Sequence, residues 1–168
     1  ERARGRERNV TERTPGQVEH RQPALDVHEI FEQQPSTGDR CTFDRLLGLA
    51  QAQLMAQRFE PSLQTLERLL KSEPKNTDAL KLKGDVLYFL AREPEAEKTL
   101  VSALEIDPKH IPSRYALARI FYQQSRFKEA VDEYRKIIEQ DPSYYRAHDN
   151  LALAYAALHE DTEALRHF

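Results

Sequence analysis

The sequence predicts an all-α protein, a solenoid of stacked antiparallel helix pairs, on three observations. Pro74, Pro108 and Pro142 recur every 34 residues. Two further columns at that period hold only small residues. The apolar residues between them fall three and four apart, which is the helical spacing rather than the strand spacing. A fixed period of this length marks one supersecondary unit repeated along the chain, each copy burying its apolar face on its neighbours.

The small columns predict the hairpin. One reads Ala50, Gly84, Ala118, Ala152 and the other, twelve residues later in each unit, reads Ser62, Ala96, Ala130, Ala164. Where two helices cross closely, anything beyond a methyl or hydroxymethyl pushes the backbones apart and forfeits packing. Larger side chains fill the neighbouring columns: Leu49, Lys83, Leu117, Leu151, then Gln53, Leu87, Phe121, Tyr155, then Leu66, Leu100, Tyr134, Phe168. Most of these are core residues. Leu46, Leu47, Leu49 and Leu54 set the helical period in the first half of a unit, and Leu63, Leu66, Leu69 and Leu70 set it in the second.

The stops and starts are written locally. Glu73-Pro74, Asp107-Pro108 and Asp141-Pro142 follow each second helix, where proline cannot continue the helix and the residue before it is pushed out of the α region. Thr42, Asn76 or Thr77, and Ser143 are the expected N-caps of the next helices, each able to accept from an orphaned backbone N–H.

These columns resemble the tetratricopeptide repeat, with small residues at two crossing points, leucine or aromatic residues around them and a closing proline. The resemblance implies a right-handed superhelical α-solenoid with whole repeats at 43–76, 77–110 and 111–144 and the start of a fourth at 145–168. Several positions depart from the pattern. Lys83 and Gln53 stand where an apolar residue is usual, Arg114 and His148 replace a large apolar residue near the start of a first helix, and Leu69 and Ile137 replace a small one.

The ends are less regular. Residues 1–21 are rich in arginine and glutamate with almost nothing apolar, and read as a polar, flexible tail. Residues 22–42 read as an N-terminal capping helix, over 23–34, followed by a loop, because Ile30 to Ser36 closely copies Ile137 to Ser143. At the other end the chain stops at Phe168 inside an expected helix, and it begins without Met, which reads as a fragment or a processed product.

Composition bounds the function without naming it. A net charge of −3 with both signs interspersed leaves no basic stripe for nucleic acid, and no apolar run spans a membrane. One cysteine, Cys41, excludes an internal disulfide framework and reads as a small residue at a helix entry. The compartment stays open: cytoplasmic, or periplasmic or exported if a leader was removed.

No catalytic constellation is legible. Gly84 is alone in a crossing column, so there is no phosphate loop, and no HExxH pair or cysteine cluster exists. His148, His159 and His167 are the candidates for metal or acid–base work, with Glu163 and His167 sharing a helical face. The expectation is no enzyme, no cofactor and no metal.

Stacked hairpins of this kind line a concave groove with their first helices. The residues facing away from the crossing columns are Asp44, Leu47 and Gln51, then Asp78, Lys81, Asp85 and Tyr88, then Tyr115, Arg119 and Tyr122, and last Arg146, Asp149 and Asn150. Of these, Lys81, Asp85, Tyr88, Tyr115, Arg119, Tyr122, Arg146 and Asn150 form the expected partner site. Its strongest part is Tyr115, Arg119, Tyr122, Arg146 and Asn150, which combine aromatic, guanidinium and amide groups of the kind found at hot spots. The alternative is that Tyr115 and Tyr122 pack between repeats and Asn150 satisfies backbone. Some members of the family clamp a C-terminal carboxylate with lysines, asparagines and an arginine. Lys81 and Arg146 fit that pattern, but Asp85 and Ala116 stand where asparagine is needed and Asn150 where arginine is, and Asp85 would repel the ligand.

The expected function is therefore a protein-binding scaffold for a peptide or helix. The alternatives are a recognition arm of a larger enzyme or secretion machine, and a self-associating module docking through its terminal helices.

Overall fold

A computed structural model of the chain describes residues 40–167. The expected tail and capping helix lie outside the described residues. Eight helices follow one another: α1 Arg40–Met55, α2 Phe59–Ser72, α3 Thr77–Phe89, α4 Glu93–Ile106, α5 Ile111–Gln123, α6 Phe127–Gln140, α7 Tyr145–Ala157 and α8 Asp161–His167. They form four antiparallel pairs, and each second helix also packs on the first helix of the next pair. The first helices α1, α3 and α5 are themselves neighbours in that order.

The crossing columns do what their size requires. Ala50, Ser62, Ala96, Ala118, Ala130 and Ala152 are fully buried, and the Ser62 hydroxyl donates to the Ala50 carbonyl at 2.7 Å across the first crossing. Leu66, Leu100 and Tyr134, which share a column, are likewise sealed from solvent. Leu69 and Ile137, the large residues at a usually small position, are buried beside them. Gln53 is accommodated because its Oε1 shares the Thr65 hydroxyl proton, at 3.0 Å, with the Pro61 carbonyl at 2.9 Å in the interior of the hairpin. Lys83 keeps its ammonium at the surface, 3.8 Å from Glu67 of the preceding hairpin.

Within each hairpin the chain reverses through one left-handed residue: Gln57, Ala91, Ser125 and His159 have φ between 56° and 61°. The next N–H reaches back to the carbonyl five residues earlier, as in Arg92 to Leu87 at 2.9 Å and Arg126 to Phe121 at 2.8 Å. This is the C-terminal cap normally built on glycine. Between hairpins, Asp107 and Asp141 accept from the backbone N–H of Lys109 and Ser143 with their carboxylates, at 2.9 and 3.0 Å. The turns around Pro108 and Pro142 are thus locked before the next helix begins.

Two expected caps are corrected. Thr42 lies inside α1, because nothing between it and Arg40 breaks the helix, so residues 40–42 are helical rather than loop. Ser143 gives its hydroxyl to Asp141 at 2.6 Å, leaving Tyr144 at the cap position of α7. Asn76 is the N-cap of α3, its side chain accepting from Ala79 N–H at 2.9 Å.

Candidate partner-binding groove

Much of the expected site is tied into the scaffold. Lys81 and Asp85, one turn apart on α3, form an ion pair at 2.7 Å. Half-buried Tyr88 donates its hydroxyl to Gln123 Oε1 and so joins α3 to α5. Tyr115 packs against Tyr134 and Tyr144 at ring separations of 5.9 and 5.7 Å. Its hydroxyl oxygen accepts from Asn150 Nδ2 at 2.8 Å, which links α5 to α7. Asn150 Nδ2 also donates to the Arg146 carbonyl at 2.8 Å. Tyr122 lies edge-on to Phe127 at 5.4 Å. Tyr115 and Asn150 thus join successive repeats, whereas the ring contact of Tyr122 lies within its own hairpin.

The remaining residues present chemistry outward. Arg119 is exposed on α5 and no hydrogen bond or ion pair among the described residues holds it. It borders a shallow depression between α3 and α5, lined also by Asp85, Tyr88, Ala116 and Ile120, of about 10 Å3, the size of one water. Arg146 lies over the neighbouring Tyr145 ring at 5.9 Å, a weak and exposed cation–π contact. Asp44, Gln51 and Asp149 are exposed, Leu47 packs partly on the core, and Asp78 faces His110. One exposed residue was absent from the expected set: Leu153, 44% exposed, occupies on α7 the repeat position of Asp85 and Arg119. Its register alone could have revealed it.

Two clusters bear on chemistry. His110 sits between Ser113 and Asp78, with Nδ1 2.7 Å from the Ser113 hydroxyl and Nε2 3.2 Å from the Asp78 carboxylate. The order hydroxyl, imidazole, carboxylate matches that of an activated nucleophile. Ser113, however, is sealed from solvent, so the chain of bonds fastens the α5 start to α3 instead of attacking a substrate. Of the three candidate histidines, His148 and His167 meet, while His159 occupies the α7–α8 turn. Among the described residues no three His, Cys, Asp or Glu side chains are grouped closely enough to hold a metal ion. None of the described helices is long and apolar enough to cross a membrane.

Helix pairs of constant register, with paired core columns and outward-facing residues on the first helices, define a helical-repeat scaffold of the protein-interaction type. A profile described as Tetratricopeptide repeat matches residues 47–111, and one described as TPR repeat matches residues 118–158. The chain belongs to the tetratricopeptide repeat family.

Among relatives, the TPR repeat-containing thioredoxin TTL4 of Arabidopsis thaliana is 32% identical over 96 residues, 57% of this chain and 14% of that protein. MamA superposes with a TM-score of 0.73 at 18% identity, covering 84% of this chain and 80% of that one. YrrB, described as a TPR protein with an unusual peptide-binding site, superposes at 0.64 with 21% identity, covering 77% and 66%. Structural likeness at these identities speaks to fold alone. The chain spans less than a fifth of the length of the curated relatives it matches.

Proposed function

We propose that this chain is a noncatalytic scaffold that holds a peptide or helix of another protein in the groove lined by its first helices, α1, α3, α5 and α7. The observation that carries the reading is Arg119. It is an exposed guanidinium on a first helix, with no hydrogen bond or ion pair to it among the described residues, beside the Asp85 and Tyr88 depression. Arginine in such a setting offers a planar set of donors to carboxylates or carbonyls of an incoming chain. Leu153 and Arg146 extend the same surface on α7 with an apolar and a cationic contact, while Lys81, Asp85, Tyr88, Tyr115, Tyr122 and Asn150 hold the groove walls in place. The peptide-binding description of YrrB agrees with this use of the fold.

The test compares the protein with an Arg119→Ala, Arg146→Ala variant as baits in lysate of the source organism, with captured proteins identified by mass spectrometry. A partner retained by the parent and lost by the variant supports the groove. Equal capture by both removes these two residues from the site.

A second reading is favoured by one observation, the match to a relative named as a thioredoxin of which this chain spans 14%. In that reading the repeats are the recognition arm of a larger protein, and the groove plays the same part.

A further inference from the structure

His148 and His167 occupy the repeat positions held one unit earlier by Arg114 and Glu133. In that earlier unit the two positions face each other across α5 and α6. Arg114 Nη1 donates to Glu133 Oε2 at 2.6 Å, and Nη2 donates to the carbonyl of Pro108. The same slot in the last hairpin holds two imidazoles with their Nδ1 atoms 3.2 Å apart. His148 Nε2 lies 3.0 Å from the carbonyl oxygen of Pro142, the counterpart of Pro108. A carbonyl oxygen only accepts, so Nε2 of His148 carries a proton, and Nδ1 of the neutral ring turns its lone pair toward His167.

An imidazole whose far N–H is fixed by a backbone carbonyl and whose near nitrogen is free is how proteins orient a metal-ligating histidine. A tetrahedral ion with metal–nitrogen distances of about 2.0–2.1 Å sets its ligand nitrogens about 3.3 Å apart. The observed 3.2 Å separation matches that spacing.

We propose that His148 and His167 bind a borderline divalent cation of the zinc, nickel or copper(II) kind through both Nδ1 atoms, the His167 proton moving to its Nε2. His167, but not His148, lines a cavity of about 510 Å3 together with Glu163 one turn before it. Water completes the shell, Glu163 staying paired with Arg166 at 2.8 Å. That cavity wall carries Glu139, Glu160 and Glu163 against the single guanidinium of Arg135, a balance that favours a cation. The bound ion would clasp α8, only 7 residues long and too short to hold by itself, to α7.

Chelator-stripped protein is titrated with zinc chloride and with nickel chloride by calorimetry, and its thermal midpoint is followed with and without zinc. One ion per chain at micromolar affinity and a raised midpoint are expected. His148→Arg with His167→Glu rebuilds the Arg114–Glu133 pair in the last hairpin, and should fold while binding zinc about tenfold or more weakly. His167→Ala, which removes one ligand at the chain end, should lose binding in the same way. Absence of zinc binding below millimolar concentration in the parent overturns the site, as does unchanged affinity in these variants.

Discussion

A methyl group on residue 84 would collide with Leu100: an added Cβ at Gly84 falls 2.7 Å from both Cγ and Cδ2 of that side chain. Leu100 is fully buried, so relieving the contact means shifting a core side chain. Gly84→Ala should therefore destabilise the protein by about 1 kcal/mol, the overpacking cost of about 1–3 kcal/mol outweighing the better helix propensity of alanine. In a Leu100→Ala background the same change should become neutral or stabilising. A double-mutant cycle by urea denaturation measures the coupling, and equal effects in both backgrounds would refute the clash.

Gln53 and Thr65 form a polar pair where later hairpins place Leu87 or Phe121 against Thr99 or Glu133. Thr65→Val leaves Gln53 Oε1 buried without its donor and should cost about 1–3 kcal/mol. Replacing both, Gln53→Leu with Thr65→Val, should restore most of that loss, because an apolar pair leaves nothing unsatisfied. Thermal unfolding of the two variants checks the order.

The hairpin turns hold non-glycine residues at positive φ, 56° at Ala91 and 60° at Ser125. Relieving the left-handed strain should outweigh the extra freedom that glycine adds to the unfolded chain. Ala91→Gly and Ser125→Gly should each stabilise by about 0.5–1 kcal/mol. A lowered denaturation midpoint in both would contradict this account of the turn.

Arg114 and Glu133 are largely enclosed, their side chains only 12% and 14% exposed. Glu133→Ala strands the guanidinium away from water and should cost about 2–4 kcal/mol. The Arg92–Glu95 pair has a similar distance, 2.6 Å, but lies open to solvent. Glu95→Ala should leave the unfolding midpoint unchanged. Denaturation of the two variants side by side separates burial from distance as the cause.

These cases show which features a single sequence exposes. The 34-residue register, the small crossing columns and the closing prolines are local patterns, and the hairpins they imply are the hairpins observed. The turn residues were hidden because Gln57, Ala91, Ser125 and His159 share no glycine and no chemistry. The Arg114–Glu133 and His148–His167 pairs were hidden for another reason. Arg114 and His148 look like isolated departures from an apolar column until the facing helix brings a partner. The groove was legible as a list of outward positions, but not the division within it. Tyr115 and Asn150 are committed to each other at 2.8 Å, whereas among the described residues no hydrogen bond or ion pair holds Arg119, and only geometry separates the two.

The central claim is that a partner lies against the first helices. Site-specific photo-crosslinking tests it most directly, with a benzophenone side chain placed at Leu153 in the groove or at Lys98, exposed on α4, and the protein irradiated in lysate of its source organism. The expected result is a discrete adduct from position 153, abolished by Arg119→Ala, Arg146→Ala, and none from position 98. An adduct from position 98 alone, or adducts from 153 that survive the double substitution unchanged, would contradict the assignment.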